Sequence, residues 1–176
     1  AGQLASVGLK NIGVGDLDVA ILDSGGAVVA TGASGATNLD ESITNYAAPS
    51  PGTYYIQVTG GGNTDYRVLV TTGAALDAEP NDSFATAQPI TGAKGVAGYT
   101  ADSDYYSFAV NSGQGILLIT NTPGDGPNLP GNTLNPKLEL YNPSGTLVAS
   151  GLVLADGRNE QISVTAAATG NYRVRV

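Results

Sequence analysis

Apolar and polar residues alternate over short stretches of this chain with a period of two, the pattern of a strand with one face buried. Val19 and Ile21 point one way while Asp18 and Ala20 point the other, and Leu138 and Leu140 stand against Lys137 and Glu139 in the same manner. Each stretch runs into a turn, Asp23-Ser-Gly-Gly26 or Asn142-Pro-Ser-Gly145, whose glycine supplies the positive φ of a hairpin. Val28 and Ala30, and Leu147 and Ala149, then return as partner strands. Tyr54, Ile56 and Val58 make a further inward row, echoed by Tyr172, Val174 and Val176. Asp65 to Val70 closes another hairpin, with Tyr66, Val68 and Val70 inward. Short strands spaced about 8–12 residues apart predict an all-β sandwich. Only Ser83 to Gln88 hints at a helix, and at most one turn of it.

The two halves are copies of one pattern. Asp16 to Gly32 aligns with Asn135 to Gly151 without a gap, at an offset of 119 residues, and Ile43 then falls on Ile162. After a slip of one residue, Gly52 to Val58 falls on Gly170 to Val176. The frame is displaced, however. The first copy, residues 1–73, has no counterpart of Leu76 to Phe108 in front of it. The second, residues 79–176 after a linker at 74–78, stops where the first continues through Asp65 to Val70. Two antiparallel β-sandwich units in tandem are expected, each incomplete at one end, with unpaired edge amides and part of an apolar face exposed. Three accounts of the frame stand: a cut from a longer tandem array, an arbitrary truncation, or a subunit whose missing strands come from a neighbour by β-strand addition.

Composition narrows the function classes. The 176 residues carry a net charge of −8, with seven basic residues spread singly, so no nucleic-acid partner is expected. The absence of Cys and His excludes a disulfide framework, a Ser-His-Asp triad, a Cys-His dyad and His-ligated zinc. With no Trp there is no aromatic sugar cleft for a carboxylate pair to serve, and the chain is read as non-catalytic. Lacking Met as well, the sequence has few oxidisable side chains, which suits an extracellular or cell-surface location. No apolar run has the length of a membrane span. The chain opens at Ala1 without a signal peptide and is expected to be a processed product or a fragment. Gly60-Gly61-Gly62 and Gly124-x-Gly126 lie at strand ends, where they would not cradle phosphate, and Asn121 to Asn135 reads as a surface loop.

The chemically suggestive residues fall in two short clusters, Asp77-x-Glu79-x-Asn81-Asp82 and Asp102-x-Asp104. Like charges converge on one point only when a cation neutralises them, and an all-oxygen donor set of Asp, Glu and Asn matches calcium better than magnesium, zinc or copper. The competing reading is a pair of solvated turns, since Asp and Asn are common turn residues. Tyr105 follows the second cluster and is expected to bring its hydroxyl toward the metal region, while Tyr106 and Phe108 share a core face. Asp16-x-Asp18 reads as a turn leading into a strand, because the second copy has Asn135 and Lys137 there. Arg173 and Arg175 occupy the face opposite Tyr172 and Val174, an exposed strand face by default.

Glu79-Pro80-Asn81-Asp82-Ser83, the Ala85 to Pro89 continuation, Asp102-Ser103-Asp104-Tyr105-Tyr106-Ser107-Phe108 and Gly113 together resemble the bacterial pre-peptidase C-terminal domain family, which includes the collagen-binding domains of clostridial collagenases. The resemblance implies a jelly-roll-like sandwich for each unit and a role as an accessory module of secreted peptidases. It implies Asp77, Glu79, Asn81, Asp82, Asp102 and Asp104 as candidate calcium ligands. The expected function is a non-catalytic extracellular structural or adhesive module, calcium-stabilised, self-associating or joined to neighbouring repeats in an array or polymer. The alternative is an accessory domain of a secreted peptidase that binds a fibrous protein substrate or assists secretion.

Overall fold

A computed structural model describes residues 2–36, 38–90, 92–98, 102–122 and 133–176; Gly124, Gly126 and most of the Asn121 to Asn135 loop lie outside the described residues. The strands are β1 (Leu4–Asn11), β2 (Leu17–Leu22), β3 (Val28–Thr31), β4 (Glu41–Ala47), β5 (Tyr55–Gly60), β6 (Tyr66–Thr72), β7 (Ala75–Leu76), β8 (Gln88–Pro89) and β9 (Val96–Ala97). They continue as β10 (Tyr105–Val110), β11 (Gly115–Ile119), β12 (Glu139–Tyr141), β13 (Leu147–Ser150), β14 (Leu152–Val153), β15 (Glu160–Thr165) and β16 (Gly170–Arg175). No described residue is helical, and Ser83 to Thr86 form a hydrogen-bonded turn where a helical turn was the most expected. The chain divides into two units, residues 1–80 with 92–100, and residues 81–91 with 101–176.

In the first unit, sheets β4-β1-β6 and β3-β2-β5 each pair antiparallel. Their facing sides supply one core, Val7, Leu9 and Ile43 from one sheet and Leu17, Val19 and Ile21 from the other. The alternation of β2 does this directly, since Leu17, Val19 and Ile21 are buried between more exposed neighbours. β7 and β9 form a short parallel pair. In the second unit, β13-β12-β16-β10-β8 make a five-stranded sheet and β11-β15-β14 a three-stranded one. Tyr106, Leu140, Tyr172 and Val174 are buried on the first of these, and Ile116 and Ile162 on the second.

The repeat read from the sequence holds atom by atom in the hairpin turns. Asp23 Oδ1 accepts the N–H groups of Gly25 and Ala27 at 2.9 Å each, and Asn142 Oδ1 accepts those of Ser144 and Thr146 at 3.0 and 2.9 Å. Gly26 and Gly145 then take φ of 83° and 81°, a region L side chains avoid.

Two rows expected to face inward are only partly covered. Val68 and Val70 lie opposite Leu9 and Val7 in the register of β1 with β6, so they share the core-facing side, yet they are 37 % and 50 % exposed; Tyr66, at 50 %, behaves alike. Ile56, opposite Ile21, is 36 % exposed, whereas its counterpart Val174 is 5 % exposed. The cause is position in the sheet. β16 is flanked by β12 and β10, while β5 pairs among the described residues with β2 alone.

Candidate metal centre

The acidic segment is held by backbone bonds before any side chain is considered. Where β7 ends, Asp77 N–H donates to Ala97 O at 3.0 Å. Asn38 clamps the next turn: its Nδ2 donates to Asp77 O at 3.1 Å, and its Oδ1 accepts Glu79 N–H at 3.2 Å. The Glu79-Pro80 peptide is cis. Asn81 is fully buried and its carbonyl accepts Tyr105 N–H at 2.9 Å. Asp104 exchanges two backbone bonds with Val176, at 3.2 and 2.9 Å. Ser83 and Thr86 close the turn after Asp82 through reciprocal hydroxyl and backbone bonds.

Held in this way, Asp77 and Glu79 present carboxylates from the first unit, and Asp82, Asp102 and Asp104 present theirs from the second. Asp77 and Asp104 are buried, Glu79 is half-buried, and Asp82 and Asp102 are exposed. The donors are hard oxygens throughout, and clustered like charges oppose one another unless a cation is shared. The clustered carboxylates could therefore hold a metal ion. Asn38 carries no sequence signal that would single it out, because its role arises from a fold contact with residues about forty positions away.

Other expected site residues go elsewhere. The Tyr105 side chain turns to Arg175 and to the Tyr141 ring, 6.5 Å between centroids, rather than to the carboxylates. Its hydrogen bond to Arg175 pushes the guanidinium further above its ordinary value, against the opposing effect of burial. Arg173 places its guanidinium carbon 4.0 Å from the Phe84 ring centroid, and Arg175 pairs with Glu139 at 3.0 Å. The Glu139 carboxylate also accepts the Tyr141 hydroxyl, which raises the phenol pKa. This sheet face is thus laced by its own aromatic and ionic partners. Asp16 and Asp18 are exposed, and Asp16 O accepts Gly61 N–H at 3.3 Å as a turn acceptor. No described helix is long and apolar enough to cross a membrane.

An all-β chain of two sandwich units, with a carboxylate cluster beside a conformationally pinned E-P-N-D segment, defines a class of small β-sandwich modules. The profile of the bacterial pre-peptidase C-terminal domain matches residues 1–60 and 102–176, and the chain belongs to that family. The family is non-catalytic, occurs in secreted proteins and is often associated with secreted peptidases. No curated protein matches the chain.

Proposed function

We propose that the chain is a non-catalytic extracellular structural or adhesive module, built of two related units. It belongs in this reading to a tandem array or a polymer joined by β-strand addition. The observation that carries it is a pair of unlike sheet edges. β1 has β4 and β6 on its two sides, but its counterpart β11 has β15 alone among the described residues; β16 has β12 and β10, but its counterpart β5 has β2 alone. Among the described residues, each unit thus pairs a strand whose counterpart in the other has an open side.

Calcium is the resident ion of this reading. Asp77, Glu79, Asn81, Asp82, Asp102 and Asp104 would hold it, and when bound it supplies the positive charge that offsets carboxylate repulsion. What the chain itself contributes is pre-orientation, through Asn38 and the backbone bonds of Asp77, Asn81 and Asp104. Family membership favours a second reading, an accessory domain that binds substrate or assists secretion of a peptidase. Light scattering with negative-stain imaging, in calcium and in chelator, separates the two. Ordered filaments or closed oligomers are expected, and a monomer in both conditions would favour the accessory domain.

A further inference from the structure

The open edge of β5 in the first unit is matched, feature by feature, by an occupied edge in the second. In the second unit β16 takes β10 antiparallel, with Tyr106 opposite Val174 and Phe108 opposite Tyr172. The repeat places Ile56 at the position of Val174, Tyr54 at that of Tyr172 and Val58 at that of Val176. Val176 N–H donates to Asp104 O, so the even-numbered residues of this strand turn their polar groups toward β10. In the first unit Gly61 N–H donates across to Asp16 O, which leaves the N–H groups of Ile56 and Val58 facing the open edge. Ile56 on this edge strand, and Tyr66, Val68 and Val70 on β6, an edge strand of the unit's other sheet, are 36 %, 50 %, 37 % and 50 % exposed, although Ile56, Val68 and Val70 share a side with the core.

The backbone ahead of β1 already has the geometry that follows such a strand. In the second unit β10 leads into β11 through a turn in which Gly113, at φ 85°, donates to Ala166 O at 2.8 Å, and Ala166 N–H donates back to Gln114 O at 2.8 Å. In the first unit Gly2, at φ 76°, donates to Ala48 O at 2.7 Å, and Ala48 N–H donates back to Gln3 O at 3.0 Å.

We infer that the β5 edge, with the apolar side of β6, is a docking slot for one antiparallel strand with the chemistry of Tyr105–Val110, aromatic and aliphatic at alternate positions. This deepens the reading of the chain as two repeats joined to neighbours by strand addition, and it rests on that reading. The slot is the first unit's equivalent of the β10–β16 pairing: the occupant sets its inward aromatics over Ile56, Val68 and Val70 and pairs with the amides of Ile56 and Val58.

The test extends the full chain at its amino end with a copy of residues 102–111, which places the copied strand directly ahead of Ala1 as β10 stands ahead of Ser112. Hydrogen exchange is read residue by residue in native and extended chains, with assembly followed by light scattering. The Ile56 and Val58 amides are expected to exchange at least about tenfold more slowly in the extended chain. An extension whose copied strand carries Tyr106→Asp and Phe108→Asp is expected to leave them fast. Equal exchange in native and extended chains overturns the slot, even where the native chain assembles and the array reading stands. Concentration-dependent protection of the two amides in the native chain alone gives the edge to a second copy and also overturns it. Protection in the extended chain, with a native chain that never assembles, keeps the slot and removes the polymer.

Discussion

At the scale of single residues, the second unit is tied by a buried carboxylate that sequence reading passed over. Glu160 Oε2 accepts Leu138 N–H at 2.8 Å, and its other oxygen meets Lys137 Nζ at 2.9 Å. Glu41 stands in the same place in the first unit, its Oε2 accepting Val19 N–H at 3.3 Å. Each glutamate fits because the residue beside it has no side chain: a Cβ on Gly151 would lie 2.1 Å from Glu160 Oε2, and one on Gly32 would lie 2.0 Å from Glu41 Oε2. Gly151→Ala is therefore expected to lose about 1–3 kcal/mol, the usual cost of overpacking, measured by urea unfolding. Burial alone would raise the Glu160 carboxyl, but Lys137 and the Leu138 N–H outweigh it and hold the pKa below the ordinary value. A carboxylate depressed in the folded state stabilises above its unfolded pKa, and that contribution is lost as pH falls through the folded value. Glu160→Gln should accordingly flatten the acid limb of stability against pH relative to the parent chain. The signal that could have found this pair was present: the 119-residue offset lays Glu41 on Glu160 and Gly32 on Gly151. A glutamate in an alternating strand otherwise looks like any solvated one.

At the scale of strands, periodicity reports which side a residue faces and is silent on whether anything covers that side. The reading of Tyr54, Ile56 and Val58, and of Tyr66, Val68 and Val70, had the face right and the burial wrong for Ile56, Tyr66, Val68 and Val70. Hairpin turns were legible because their constraint is local, a side-chain acceptor and a glycine within four residues. Coverage depends on a strand supplied from outside the pairing segment, which no window of sequence contains. The energetic consequence separates two equivalent positions. Val174→Ala, in a central strand, should cost about 2 kcal/mol, in line with the burial of a full aliphatic side chain. Ile56→Ala, at an open edge, should cost under about 1 kcal/mol despite removing more carbon, as partly exposed positions do. Paired urea titrations of the two variants check the order, and equal losses would mean that β5 is covered in solution.

For the whole molecule, the proposed calcium would make stability depend on whether the ion is supplied. The acidic pattern is legible in the sequence as two short runs, but how each run is held depends on folding: the clamp from Asn38 within the first unit, and the register of Asp104 against Val176 within the second. In a chain of net charge −8, Asp77, Glu79, Asp82, Asp102 and Asp104 are the carboxylates on which the proposed calcium would act. Calcium binding to the folded state alone stabilises by RT ln(1 + [L]/Kd), about 2.7 kcal/mol when the ion is a hundredfold above Kd. Thermal unfolding in millimolar calcium should then run several degrees above unfolding in chelator. Glu79→Gln should remove most of that difference, because it takes away a half-buried carboxylate, whereas Asp82→Asn, at an exposed one, should remove less. Asn38→Ala should lower the midpoint even in chelator, since it removes the Asn38 bonds to Asp77 O and Glu79 N–H, and should narrow the calcium increment by loosening the segment that presents the oxygens. A midpoint indifferent to calcium, with Glu79→Gln more stable than the parent, would make these carboxylates repelling turn residues. Each unit would then be stabilised by its own core and hairpin turns.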